Sequence, residues 1–126
     1  MKKLITSFLL LSAVILSSCS TPMFKTSDPY ISLGKKAVEV MDDYLDFDIS
    51  IEEARSRMGS VYNRTNELPE VNANSEYKGD YYLKIEFELA YMHFVRMSYG
   101  TDSDDYQTIL DYRNSIAKDL GMGTRS

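Results

Sequence analysis

Few residues in this chain have the chemistry for catalysis or metal binding. His93 is the only histidine and Cys19 the only cysteine, so any Ser-His or Cys-His catalytic pair would have to recruit His93. As a metal ligand His93 would need carboxylates beside it. On a helix Glu86 lies two turns away, while Leu89 and Met97 occupy the adjacent turns, so the spacing favours a partly buried structural histidine over a ligand. Glu86 and Glu88 could form a carboxylate pair for acid-base work on a glycan. Two residues apart on a helix they diverge, and on a strand they would share a solvated face. Asp46, Asp48 and Ser50 match the first oxygen positions of an EF-hand loop, but Ile51 stands where glycine is required and Arg57 where the bidentate glutamate belongs. The run Asp102-Ser103-Asp104-Asp105 fails at its fifth position, Tyr106, and fits helix capping better. The six glycines are scattered, with no phosphate-cradling loop. The residues therefore predict no catalytic constellation, no metal site and no cofactor.

The amino terminus carries a different chemistry. Lys2 and Lys3 precede a mostly apolar, uncharged run from Leu4 to Leu16 that is too short to span a bilayer, which reads as an export signal. It ends in Leu16-Ser17-Ser18-Cys19, an aliphatic residue, two small residues and a cysteine, and this resembles the lipobox of bacterial lipoproteins residue for residue. The resemblance implies that the Cys19 thiol receives a diacylglyceryl group, that a signal peptidase cuts between Ser18 and Cys19, and that further acylation, such as palmitate, holds the new amino terminus in a membrane. The competing reading is an ordinary secretory signal with an incidental cysteine; the lack of a second thiol for a disulfide favours the anchor. Two acyl chains, at about 0.8 kcal/mol per buried methylene, make such tethering effectively permanent. Ser20 follows the cysteine, with no aspartate to resemble an inner-membrane retention signal. The implied location is the outer membrane of a two-membrane organism or the surface of a one-membrane organism.

Loss of residues 1–18 from 126 would leave 108, enough for one compact domain. Its side chains would carry 12 basic and 19 acidic groups, a net charge of −7, because Lys2 and Lys3 leave with the signal. Such a surface repels phosphate backbones and anionic headgroups, so nucleic acid is not an expected partner and tethering falls to the lipid. Ten tyrosines and five phenylalanines occur without tryptophan. Tyrosine fills a core edge with its ring or offers a surface contact to a partner or sugar. Tyr81, Tyr82, Tyr91 and Tyr99 are the candidates to line a binding pocket.

Helical signals organise the rest. Residues 19–27 form the lipidated cysteine and a flexible tether, before Asp28-Pro29 opens a helix by capping and a first-turn proline. Leu33, Ala37, Val40, Tyr44 and Phe47 then recur at helical spacing. Ser50 and Glu53 stand in a capping-box arrangement, followed by Ile51, Ala54, Met58, Val61, Thr65 and Leu68 up to Pro69. Residues 69–75 read as a loop. From Leu83 to Leu89 apolar and charged residues alternate, the mark of a half-buried strand. Yet the turn-free run from Asp80 to Ser98 is too long for a strand and rich in helix formers. It predicts a long helix, from Glu76 or Asp80 to Tyr99, the most buried of the set because its apolar residues lie nearly all round. Gly100 ends it, the acidic run at 102–105 caps the next, and Tyr106, Ile109, Leu110, Ile116, Ala117 and Leu120 make that helix's apolar face up to Gly121.

These signals predict an all-α domain at 28–122, a four-helix bundle of two antiparallel hairpins, with residues 123–126 as a frayed tail. An α+β fold is the alternative if 81–89 is a strand. The functional expectation is a non-enzymatic envelope lipoprotein that binds another envelope protein. A small-molecule or glycan-binding module using the tyrosines is the alternative.

Overall fold

The computed structural model describes residues 24–100 and 106–126. The export signal, Cys19 and the acidic run at 102–105 lie outside the described residues. Four helices are present among them: α1 (Asp28–Leu45), α2 (Ile51–Arg64), α3 (Lys78–Ser98) and α4 (Tyr106–Asp119), with a 3-10 turn at Thr65–Glu67 prolonging α2. No strand occurs among the described residues. The alternating stretch Leu83–Leu89 lies inside α3, where a long uninterrupted run of helix-forming residues outweighs the period-two pattern.

Each helix packs against its chain neighbours, and α4 closes the ring on α1. Side-chain pairs show that adjacent helices run antiparallel. Arg57 of α2 reaches Asp43 and Glu39 of α1. Arg55 and Tyr62 of α2 meet Ser98 and Tyr91 of α3. Glu86 and His93 of α3 meet Ser115 and Tyr112 of α4, and Asp42 of α1 meets Arg113 of α4. One core fills the centre, built from Leu33, Ala37 and Met41 of α1, Ala54 and Met58 of α2, Leu83, Phe87 and Phe94 of α3, and Ile109 and Ile116 of α4.

The helix ends show how local sequence and tertiary contact share the work. Ser50 Oγ accepts from the Glu53 amide at 3.1 Å, as the capping pattern requires. Gly121 takes a left-handed conformation (φ 72°) just past α4, where the Met122 amide donates to Ala117 O, and Gly100 does the same after α3. The end of α1 has the same geometry without a glycine. Phe47 sits at φ 61°, its amide donating to Tyr44 O while that of Asp48 donates to Asp43 O. Phe47, expected on the apolar face of α1, is therefore 85% exposed, because the helix stops at Leu45 and the chain turns beneath it.

The amino-terminal side also departs from expectation. Ser27, not Asp28, occupies the cap position of α1, and its side chain is committed elsewhere: Oγ donates to Asp80 of α3 at 2.6 Å. Residues 24–27, expected within the flexible tether, are bound to the start of α3. Phe24 stacks on Tyr82 with centroids 4.9 Å apart, Lys25 pairs with Glu76 at 2.8 Å, and the Gly79 amide donates to Lys25 O at 2.9 Å. A Cβ at Gly79 would collide with Thr26 Oγ1 and the Lys25 carbonyl. The strap thus satisfies a first-turn amide of α3, whose cap residue Tyr77 makes no side-chain cap bond.

The tail at 123–126, expected to fray, is tied down. Arg125 bonds Asp42 and Asp46 at 3.0 and 2.9 Å, and its backbone exchanges hydrogen bonds with the Asn114 side chain. Arg113 donates to Asp42 and to Gly123 O. Residue composition suggested a loose end, but the paired arginines and carboxylates hold it across α1 and α4.

Candidate functional site

The expectation that α3 is the most buried helix does not hold: 8 of its 21 residues are buried, against 8 of 18 in α1. Leu83, Phe87, Ala90, Phe94 and Met97 face the core, while Tyr82, Ile85, Leu89 and Met92 form an outer stripe, 38–47% exposed. The stripe advances by three, four and three residues, which keeps successive side chains on one line of a helix. The bundle supplies neighbours for one side of α3, so its second apolar face meets no other helix among the described residues. The near all-round apolar composition was the sequence signal for it.

The four candidate tyrosines are spread along α3 and do not share a pocket. Tyr81 and Tyr82 touch each other edge to face at 5.3 Å, and Tyr82 also carries the Phe24 ring. Tyr91 stacks on Tyr62 of α2 at 6.0 Å and packs against the core. Tyr99, at the far end, lies beneath the Arg55 guanidinium at 5.8 Å. Helical rise puts Tyr81 and Tyr99 about 27 Å apart. Only Tyr82 belongs to the exposed stripe proper.

His93 is buried against α4, its ring 6.0 Å from Tyr112 and its Nδ1 3.5 Å from Arg96 Nη2. No group of three or more His, Cys, Asp or Glu side chains is gathered for a metal ion among the described residues. Glu86 and Glu88 diverge, as expected of a helix. Glu86 turns toward α4, where Oε1 accepts from Ser115 Oγ at 3.1 Å and Oε2 is buried without a hydrogen-bond donor. Burial, and then the neighbouring Asp119 carboxyl, push the Glu86 carboxyl up to about 9.

Concavities among the described residues include two of note. A groove of about 620 Å³ runs between α1 and α2 over Leu33, Val40, Val61 and Leu68, with Lys36, Arg57 and Arg64 along it. Arg57 and Arg64 are engaged by Asp43 and Glu67. A smaller cavity of about 360 Å³ lies where the start of α1, the start of α3 and the loop after α2 converge, reached by Tyr30, Tyr77 and Asp80. A buried aspartate at the head of α3 had no signature in the sequence, where Asp80 reads as an ordinary first-turn acid.

No helix among the described residues is long and apolar enough to cross a membrane. Among the described residues, fold and surface define a small antiparallel four-helix domain with an apolar stripe of α3 left partly exposed. No protein-family model, curated protein or solved structure matches the chain.

Proposed function

We propose that this chain is a lipid-anchored protein of the bacterial envelope, without enzymatic activity, whose helical domain holds another envelope protein through the outer stripe of α3. The observation that carries the binding role is the stripe itself: Tyr82, Ile85, Leu89 and Met92 stand exposed at heptad spacing on a regular helix. Aligned apolar residues of this kind cost solubility unless something covers them, and their spacing suits an amphipathic helix of a partner. The anchor rests on the lipobox-like Leu16-Ser17-Ser18-Cys19, with a diacylglyceryl group on Cys19 and no other cofactor. Phe24, stacked on Tyr82, brings the anchored end of the chain to the start of the stripe. A partner docked there is thereby held close to the membrane. The wide spacing of the four tyrosines gives a glycan or small-molecule pocket built from them no comparable support.

A photo-reactive residue placed at Leu89 in intact cells should yield one discrete adduct with another envelope protein, lost when Ile85 and Met92 become glutamate. The same probe at Lys35, exposed on α1, should yield none. Equal labelling from both positions would overturn the docking role, and an adduct with a second copy would reassign the partner. Cys19→Ser should abolish incorporation of a fatty-acid analogue, and label persisting in that variant would overturn the anchor.

A further inference from the structure

The cavity between the heads of α1 and α3 has a chemistry distinct from the outer stripe. Its walls come from Pro29, Leu68, Pro69, Val71 and the Tyr77 ring, and its polar groups include Asp80, Glu70 and Glu76. Three carboxyl groups and no lysine or arginine line it. Two deeper features point to an occupant. Tyr30 lines the cavity although it is only 2% exposed, and its hydroxyl has no hydrogen-bond partner among the described residues. Native proteins rarely leave a buried hydroxyl unpaired, and one carried by a residue that lines a cavity points to a guest or a water. Asp80, 4% exposed, is the second. Its two oxygens accept from the Ser27 amide at 2.8 Å and the Ser27 hydroxyl at 2.6 Å, and each oxygen keeps a further lone pair.

We propose that this cavity binds a small primary ammonium compound with an apolar body, its NH3 group donating to Tyr30 Oη and the Asp80 carboxylate. An ammonium has three donors and no acceptor, which complements a site of acceptors. Burial holds the Tyr30 phenol above its usual range, with Asp80 adding to the effect, so the hydroxyl stays neutral and its oxygen can accept. The apolar walls take the body of the ligand, and Glu70 adds negative charge at the rim. Glu76 already pairs with Lys25, whose ammonium stands over the Tyr77 ring at 4.7 Å. The protein thus already places one ammonium against this cavity's wall. Neutral molecules of the same shape leave the buried carboxylate without a charged partner, and anions are repelled.

The test uses the full chain in non-ionic detergent, titrated calorimetrically at neutral pH with benzylammonium, benzyl alcohol and benzoate. Benzylammonium should bind saturably at one site per chain, benzyl alcohol at least about ten-fold more weakly, given the strength of hydrogen bonds to charged groups, and benzoate not at all. Tyr30→Phe keeps the ring and should weaken benzylammonium by about ten-fold or more, the value of one hydrogen bond with a charged donor. Asp80→Asn should weaken it by about ten-fold or more. Should Asp80→Asn lose its helical spectrum through the Ser27 contact, Tyr30→Phe and the rim variant Glu70→Gln decide. Equal binding of the alcohol, absence of saturation, or unchanged affinity in Tyr30→Phe would overturn the proposal. The last outcome would mean that the hydroxyl is satisfied by a structural water only.

Discussion

The two faces of α3 have nearly the same apolar character and opposite fates. Leu83, Phe87, Ala90, Phe94 and Met97 advance by four, three, four and three residues and are buried; Tyr82, Ile85, Leu89 and Met92 advance by three, four and three and stay 38–47% exposed. Spacing and residue type do not distinguish them. What separates the faces is the number of partners, because a ring of four helices gives each member one inward side. An apolar residue on a helix therefore reports a need for cover without saying who supplies it. On the inner face the cover is this chain, and on the outer face the proposed cover is another protein.

That contrast can be broken most directly by truncating one residue from each face. Phe87→Ala should cost about 3 to 5 kcal/mol, because it removes a fully buried ring and leaves a cavity. Chemical denaturation would measure the loss. A cost below about 1 kcal/mol would mean that α3 is not inserted as described.

Between the two faces lies the Glu86 edge, and it sharpens the comparison through pH. The folded-state value of about 9 stands above the ordinary 4.5. Glu86 therefore contributes stability that is fully present below about 4.5, declines as pH rises above that value, and is lost by about 9. Denaturation midpoints of the wild type at pH 5, 7 and 9 should include this decline, and Glu86→Gln should flatten it. Identical slopes in the two proteins would show that the carboxyl is already ionised in the fold.

A cap remote from either face gives a smaller, independent scale. Ser50→Ala removes the side-chain acceptor for the Glu53 amide and should cost about 0.5 to 2 kcal/mol. An unchanged midpoint would show that this bond contributes nothing to the start of α2.

The smallest stability effect is expected on the outer stripe. Leu89 is 47% exposed, so Leu89→Ser should shift stability by no more than about 0.5 kcal/mol while reducing the proposed crosslink to a partner. A large loss of stability would place Leu89 in the core and remove the basis for a docking face.

Much of the fold was legible residue by residue. Ser50 and Glu53 marked the start of α2, Pro69 its limit, and Gly100 and Gly121 the ends of α3 and α4, since each acts through backbone atoms a few positions away. Phe47 shows where that legibility stops. It takes the left-handed position that glycine marks elsewhere while continuing the apolar spacing of α1, so no local signal ends that helix at Leu45. Ser27 was assigned to a tether for a similar reason: its partner, Asp80, is 53 positions away.

By itself, the sequence determined the helical class, the spacing of the apolar faces and the lipobox-like motif at Cys19, because periodicity, capping and a four-residue motif are properties of neighbouring residues. Only tertiary structure decided which face of α3 is covered, that Arg125 closes the tail onto Asp42 and Asp46, and that Tyr30 and Asp80 border one cavity. These contacts join residues far apart in the chain, and no local periodicity encodes a partner that the chain reaches only after the bundle has closed.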